Sequence, residues 1–591
     1  MYAIQIVLVF IAVYLAPAVA LRPGLLARPE TALAIPFVSV LIVFLTGSVF
    51  IFSGLFSPAA VRGLSALAMA GAAIRIWRVR KEIRQFSTWR GGDWAALGVT
   101  LAFSAYVVLR LVEGGFDEND EIYSWNMWAI QHVLGEPPDY YYTQAPYPQL
   151  FPKLLAWSYM LIGDIDAQTA VKTPLYIFPA SIFFTLGLAP AHRGDIRLMF
   201  LHAGLCLFLL KLAGLDSLAD NGMPDMLTAS AILASLFFYC RFRHAHREQV
   251  YLYCAITAGI IAALSKQPGL LWAAFSLPAI AAADAFRKKI SWNAFAALLA
   301  PAVCALLWVM TEGRQFQDNE GVMNASFEGR GVFSQLAYAI DQWIFGEPAI
   351  FIVIAAAVFL AVRAKAQTEI LILAALPFLL AWFFFAAYDL RGGAPALLFF
   401  GFIIAAERYG LRTTGHETAA LAGFPAARMR AAFAGLLFTV CSLGGLYELA
   451  RYKNKHPAFR VGDASHSNLI AFFGDDAGAV YRAIREENNV KLWTPTNYIY
   501  GLFYGHAEMS RPHDAMQANA RTILAQLKAE QPDYVTNGGA VAYGSGGRAL
   551  DALAREKCPD LFKRVAGPGN QYGIILYKLD KSLLDTGYCD A

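Results

Sequence analysis

Residues 250–289 read VYLYCAITAGIIAALSKQPGLLWAAFSLPAIAAADAFRKK, and this stretch decides the fold. It contains two apolar runs, 250–264 and 267–286. The second has about the 20 residues that a helix needs to cross the hydrocarbon of a membrane, and the first is somewhat shorter. Two residues separate the runs, and the basic cluster Arg287-Lys288-Lys289 follows the second. Because Lys and Arg are enriched in cytoplasmic loops, the pattern predicts two membrane helices whose tight turn faces outside.

The rest of the chain has the same character. Of its 591 residues, 57% are hydrophobic and only 16% are charged, whereas soluble domains are about a quarter charged. Lipid must therefore cover much of the apolar surface. Apolar runs predict about fourteen spans, at residues 3–21, 31–57, 60–78, 93–112, 170–190, 197–214, 225–240, 250–264, 267–286, 291–310, 348–362, 370–387, 393–406 and 430–449.

Two of the apolar runs need a separate interpretation. No cationic segment precedes residues 3–21, so they are predicted to be a first span rather than a cleaved signal. The run 151–162 is short for a span and is predicted to be a juxtamembrane or re-entrant helix.

Basic residues mark alternate loops of the chain. Lys and Arg cluster at 78–90, 241–247, 287–289, 363–365 and 408–430. By the count of spans, all five clusters fall on one side of the membrane, which must be the cytoplasm. The alternate loops are then predicted to face outside, namely 113–169, 215–224, 265–266, 311–347, 388–392 and the tail from residue 451.

Three regions follow from this organisation. Residues 1–92 form accessory spans, residues 93–450 form the transmembrane core with its long outer loop 113–169, and residues 451–591 form a soluble domain. In the tail, strands are predicted at 490–493, 533–536 and 572–578, and helices at 518–530 and 548–556, which indicates a small α/β domain. If the tail is extracytoplasmic, Cys558 and Cys589 could form a disulfide; two free thiols are the alternative.

The long outer loop begins with an acidic segment. Residues 117–121 read DENDE, and no Lys or Arg occurs from Leu111 to Pro152. A solvated acidic cap is one interpretation. The other is a catalytic site, since like charges packed together raise some carboxyl pKa values and so favour a general base. Asp117, Asp120 and Glu121 are the candidates for this catalytic role.

Aromatic residues follow the acidic segment. Tyr123, Trp125 and Tyr147 are candidate substrate-binding residues, because an aromatic ring stacks on the apolar C–H face of a sugar. Aromatics of this density are equally typical of a membrane interface.

Charged residues also stand in the other outer turns. Asp220 and Asp225 precede or begin a span, where a carboxylate can cap a helix or line a cavity. Lys266 lies in the two-residue turn of the helix pair, where its ammonium can bind a lipid phosphate or snorkel to head groups. Arg391, beside a neutralising Asp389, and Arg330 in the long loop 311–347 are further candidates for phosphate binding.

In these motifs the chain resembles the GT-C superfamily of membrane glycosyltransferases, which includes protein O-mannosyltransferases and lipid A aminoarabinose transferases. Asp120-Glu121 with Tyr123 is similar to the acidic start of their first outer loop, and Tyr147-Pro148 to their Tyr-Pro stretch. The regions 219–230, 265–269 and 389–395 are similar to the family's second acidic motif, its Lys turn and its late Arg motif. Three extra spans precede the core, and the Asp-Glu-Ile-Tyr spacing is one residue tighter than in the aminoarabinose transferases. The choice between Asp117 and Asp120 therefore stays open.

The resemblance implies a sugar donor linked to a polyprenyl phosphate, an acceptor that is a glycan, lipid or protein, and direct displacement with inversion at the anomeric carbon. It also implies a multi-pass protein of a bacterial inner membrane with the tail in the periplasm. No cofactor is expected; Glu118 and Asp120 offer ligands to a divalent ion, but a metal-free site is preferred. Nucleic acid is not an expected partner, because no basic stripe with interleaved aromatics is present.

Three rival functions remain at this point. An O-antigen-type polymerase or ligase would also act on lipid-linked glycans. A transporter or flippase would keep ionisable residues at the middle of its spans and often an internal repeat, and the sequence shows neither. A membrane receptor would leave its many spans with little purpose.

Overall fold

The computed structural model describes residues 2–111, 116, 121–138, 140, 147–191, 196–212, 222–244, 248–311, 334, 336–337, 340–341, 348–361, 365–385, 393–409, 436, 439–440, 442–444, 480, 483–484, 487, 490–495, 504–505, 507–510, 519–537, 545–566, 575–586 and 588–589.

Helices dominate this part of the chain. They are α1 (Tyr2–Val9), α2 (Ala16–Leu21), α3 (Pro29–Ala32), α4 (Ile35–Phe52), α5 (Pro58–Phe86), α6 (Gly91–Leu111), α7 (Met127–Leu134), α8 (Leu150–Ile162), α9 (Gln168–Lys172), α10 (Ile177–Ala191), α11 (Ile196–Leu212), α12 (Asp225–His244), α13 (Gln249–Ala263), α14 (Gln267–Leu271), α15 (Leu277–Phe286), α16 (Trp292–Leu298), α17 (Ala300–Thr311), α18 (Pro348–Ala361), α19 (Lys365–Ile370), α20 (Leu376–Phe385) and α21 (Ala394–Tyr409). Short π-helical turns at Phe10–Leu15, Glu121–Asn126, Trp272–Ser276 and Leu371–Ala375 continue several of them.

Six helices are long and apolar enough to cross a membrane, counted over the described residues: Ala3–Leu21, Pro29–Phe52, Pro58–Gln85, Asp225–Arg243, Gln267–Phe286 and Trp292–Thr311. Large apolar side chains on their surfaces stay uncovered by protein; Phe52 is 94% and Leu67 is 69% exposed. Such surface is typical of helices that face lipid. The helical architecture predicted from the sequence is thus present, while a total of fourteen spans stays a prediction.

One end of the helix bundle carries a network of ion pairs. Arg243, at the end of α12, lies 3.0 Å from the fully buried Asp284 of α15 and 3.4 Å from Glu369 of α19. Arg287 and Lys289 contact the same Glu369. We call this the basic end. Two of the predicted basic loops, 241–247 and 287–289, therefore meet there beside α19, as the alternation of loop charges predicts.

The other end, which we call the distal end, carries the long loop. There α12 begins at Asp225, and the turn between α13 and α14 holds Lys266. The helix α8, predicted as juxtamembrane or re-entrant, is almost completely buried and packs on α4, α5 and α7. Arg62, near the start of α5, donates to the carbonyl oxygens of Leu161 and Ile162, at 3.0 and 2.8 Å.

In the described residues of the tail, five strands form a mixed sheet. Its strands are β1 (Lys491–Trp493), β2 (Glu508–Ser510), β3 (Tyr534–Thr536), β4 (Phe562–Ala566) and β5 (Leu576–Leu579). Their order is β2-β1-β3-β5-β4; β1 pairs in parallel with β2 and β3, and β5 pairs antiparallel with β3 and β4. The described helices of the tail are α22 (Ala520–Glu530), α23 (Ser545–Ala552) and α24 (Lys581–Asp585).

The two faces of this sheet bury different residues. Trp493, Val535 and Tyr577 share a core with α22 and α23. Leu492, Tyr534 and Leu576, on the other face, belong to the same apolar cluster as the helix bundle. The strands predicted around 491, 534 and 576 are present, and β2 and β4 are additional.

A disulfide joins Cys558 and Cys589, whose Cα atoms are 5.6 Å apart and which are separated by 31 residues. Such a cross-link forms and persists in an oxidising compartment.

We expect Cys558 and Cys589 of the protein in intact cells to resist labelling by a maleimide until a reductant is added. Reduction is expected to lower the free energy of unfolding of the tail by about 3–4 kcal/mol, the chain-entropy value for a loop of this size. A paired Cys558→Ala/Cys589→Ala variant is the control, and labelling without reductant would place the tail in a reducing compartment.

Candidate functional site

An ion pair joins two loops of the distal end. The ammonium Nζ of Lys266 lies 2.8 Å from Oδ1 and 2.9 Å from Oδ2 of Asp225. The side chain of Lys266 is 18% exposed and that of Asp225 is 8% exposed. The sequence singles out both residues separately, at positions 41 residues apart; the structure brings them into contact. Asp225 therefore fixes the position of the lysine ammonium between α12 and α14.

A close backbone approach shapes the turn that carries Lys266. Lys266 has an extended backbone, and its carbonyl accepts a 2.9 Å hydrogen bond from the Gly269 amide. A Cβ atom built on Gly269 would lie 1.7 Å from the carbonyl oxygen of Ala262. Only glycine fits there, so α14 can start directly against the end of α13. This packing directs Lys266 toward the start of α12.

A buried lysine lies where the acidic segment begins. The side chain of Lys172, at the end of α9, is completely buried. Its Nζ lies 5.8 Å from the centre of the Phe116 ring, and the Phe116 amide donates to Gln168 Oε1 at 3.2 Å. The acidic segment follows Phe116 directly in the sequence. Lys172 is thus a buried cation next to Phe116 that the sequence did not reveal.

Two of the other predicted site residues lie in a short helical turn. Glu121 and Tyr123 belong to the π-helical turn Glu121–Asn126, and their roles stay predictions. Outside the described residues lie Asp117, Asp120, Asp220, Arg330 and Arg391. Their roles stay predictions.

The aromatic residues of the long loop form a packed cluster. Trp125 is 3% exposed, and its ring lies edge-on to Trp128, Tyr147 and Phe151, with centroids 5.1, 5.2 and 6.0 Å away. Trp125 is thus packed among neighbouring rings, and its role in substrate binding stays a prediction. Tyr147 is half-buried, and sugar binding by this residue stays a prediction.

His132 of α7 connects the aromatic cluster to α8. Its Nε2 lies 3.2 Å from Gln149 Oε1, which accepts the hydrogen bond. Burial, and to a smaller extent the Lys153 ammonium, lowers the pKa of His132 from 6.5 to about 4, although the bond to Gln149 opposes the shift. The imidazole is therefore neutral at neutral pH.

This histidine makes stability depend on pH. In the unfolded chain His132 binds a proton near pH 6.5, and in the folded chain only near pH 4. The contribution of the neutral His132 to the free energy of unfolding is therefore complete above pH 6.5 and is lost as the pH falls toward 4. Between about pH 7.5 and about pH 5 we expect the free energy of unfolding to fall by about 2 kcal/mol more in the wild type than in His132→Gln. Chemical denaturation in detergent measures this difference. Equal losses in both proteins would contradict a buried, neutral His132.

The tail contacts the same loop. The Tyr504 hydroxyl bonds to the carboxylate of Glu136, just after α7. Gly505, with a φ of +85°, lies so close to α7 that an added Cβ would be 3.1 Å from Ile130 Cγ2 and 2.9 Å from Ile165 Cδ1. The tail thus contacts the long loop at the distal end, which also carries the Lys266–Asp225 ion pair.

Metal binding finds no support among the described side chains, which contain no group of three or more His, Cys, Asp or Glu that could hold an ion. The acidic segment 117–120 is outside this set.

Comparison with known proteins provides no family for the chain. No model of a protein family matches its sequence, and no curated protein matches it either.

Proposed function

We propose that the protein is a glycosyltransferase that moves a sugar from a polyprenyl-phosphate donor to an acceptor on the non-cytoplasmic side of a bacterial inner membrane. The observation that carries this proposal is the ion pair between Lys266 and Asp225. It holds a cation at the distal end, where the tail also contacts the long loop. The donor class and the reaction type are those that the resemblance of the motifs to the GT-C superfamily implies.

The proposed reaction needs a base and an anion-binding group on opposite sides of the anomeric carbon. Asp120 or Asp117 accepts the proton of the acceptor hydroxyl, and the acceptor oxygen forms its bond to the anomeric carbon. The bond from that carbon to the phosphate oxygen breaks, and polyprenyl phosphate leaves with the electron pair. Lys266, with Arg391 as a second cation, stabilises the negative charge on this leaving group.

The position of Lys266 suits this role. A cation at the end of a helix pair lies near the lipid head groups, where the phosphate of a membrane-bound donor also lies. Asp225 restricts the ammonium to one place, which reduces the reorganisation that charge stabilisation would otherwise require.

The test is direct transfer in a purified system. The protein in nanodiscs is mixed with radiolabelled polyprenyl-phosphate sugars and candidate acceptors, and the release of polyprenyl phosphate is followed with time. We expect catalytic release without any ion gradient, and membranes without the protein are the control. Separate assays of Asp117→Asn and Asp120→Asn identify the base. If no donor releases polyprenyl phosphate and the intact lipid moves across the bilayer, the protein is a flippase and the proposal is wrong.

A further inference from the structure

A long continuous helix runs to the basic end. The helix α5 has 29 residues, about 43 Å at 1.5 Å per residue, whereas the hydrocarbon of a bilayer is about 30 Å thick. Near its start Arg62 is fixed to the end of α8. Farther along, Arg75 donates to the carbonyl of Leu21, the last residue of α2, at 3.4 Å. Residues 76–86 therefore continue about 16 Å past the point where α2 ends.

This extension is strongly cationic. Residues 75–84 read RIWRVRKEIR, with five cations and one acid. All five basic side chains are exposed to solvent. Among the described residues, Arg78, Lys81 and Arg84 have no ion-pair partner. This differs from the neighbouring basic loops, in which Arg241 pairs with Glu30 and Arg243 with Asp284.

Aromatic side chains lie beside these cations and in the segment that follows α5. Trp77 is 62% exposed, and the Arg80 guanidinium lies 5.4 Å from the centre of its ring. Trp94, which stacks on Trp89 at 4.4 Å between centroids, is 58% exposed. Exposed tryptophans are typical of the head-group layer of a membrane. The aromatic and cationic residues thus lie at a level where lipid head groups are available.

We propose that residues 75–84 of α5 form a binding surface for anionic phospholipid head groups. The phosphates of phosphatidylglycerol neutralise the unpaired guanidinium and ammonium groups, and the tryptophan rings lie among the glycerol and upper acyl segments. Each cation near an anionic surface adds to the attraction, so three cations together favour anionic over zwitterionic lipid by at least about tenfold. This surface is at the opposite end from the proposed catalytic site and is independent of the reaction.

The experiment counts bound lipids on the full-length protein. Delipidated protein in a neutral detergent is titrated with phosphatidylglycerol or phosphatidylcholine, and native mass spectrometry gives the occupancy. We expect at least tenfold tighter binding of phosphatidylglycerol, a preference that declines with added salt. The variant Arg78→Gln/Lys81→Gln/Arg84→Gln is expected to lose this preference.

A matched control removes three exposed cations from the tail, in Arg521→Gln/Lys557→Gln/Lys563→Gln. This variant has the same change in net charge and is expected to retain the lipid preference. Circular dichroism and size-exclusion profiles of both variants report folding. Equal binding of the two lipids by the wild type would overturn the proposal, as would an undiminished preference in the α5 variant or an equal loss in the control.

Discussion

Replacing Lys266 with methionine is expected to reduce sugar transfer by about a hundredfold or more, because the leaving phosphate loses a preorganised cation. The same change is expected to lower the free energy of unfolding by about 3–5 kcal/mol, since Asp225, which is only 8% exposed, is left without its partner. Transfer per folded molecule and chemical denaturation measure the two effects.

A second variant separates catalysis from folding. Asp225→Leu combined with Lys266→Met removes both charges, and an apolar pair of similar volume is expected to recover most of the lost stability. Transfer is expected to stay low, because the cation is absent. The control is Glu30→Gln with Arg241→Met, which removes the 3.1 Å pair at the basic end and should leave transfer per folded molecule unchanged. If the double variant Asp225→Leu/Lys266→Met recovers sugar transfer together with stability, the Lys266–Asp225 pair has only a structural role.

Gly269→Ala is expected to prevent correct folding of the helix pair, with a loss of more than about 4 kcal/mol. The new Cβ would lie 1.7 Å from the carbonyl oxygen and 2.2 Å from the carbonyl carbon of Ala262. Both are backbone atoms, so neither can turn away as a side chain would. The fraction of protein that elutes as a single species after extraction, and its denaturation midpoint, measure the effect.

Gly98→Ala is the control for this substitution. Gly98 lies within α6, and nothing stands within 4 Å of its added Cβ. There alanine is expected to be neutral or to stabilise the helix by up to about 1 kcal/mol, because it restricts the unfolded chain. Equal behaviour of the two variants would show that α14 does not start against Ala262.

The sequence predicts the ends of the bundle better than the contacts at them. Loop charge places Lys266 and Asp225 on the same side, since alternate loops share a compartment. It contains no signal that they touch, because a contact across 41 residues depends on how α12 and α13 pack. The ion pairs that Asp284 and Glu369 form with arginine and lysine at the basic end were not predicted either. Each of these residues is a single acid near a basic loop in the sequence, and such a pattern is common on solvated surfaces.

In the tail, the strands found from the sequence have consecutive apolar or β-branched residues, as in Tyr534-Val535-Thr536. The missed strand β2 reads Glu-Met-Ser and has one apolar residue, so its pairing with β1 depends on the sheet rather than on local preference. The aromatic residues of the long loop illustrate a different limit. The composition of the loop does not distinguish an aromatic side chain at a membrane interface from one in a packed core. Only the structure shows that Trp125 is buried.

The contact between Gly505 and α7 has a consequence for truncated forms of the protein. Ile130 and Ile165 border the tail turn at Tyr504-Gly505, so a chain cut before the tail would present this apolar surface to water. By thermodynamic linkage, a molecule that binds the attached tail more tightly than the detached one strengthens the attachment by the same free energy. Because the tail and the long loop share this contact, deletion of either one is expected to change the behaviour of the other.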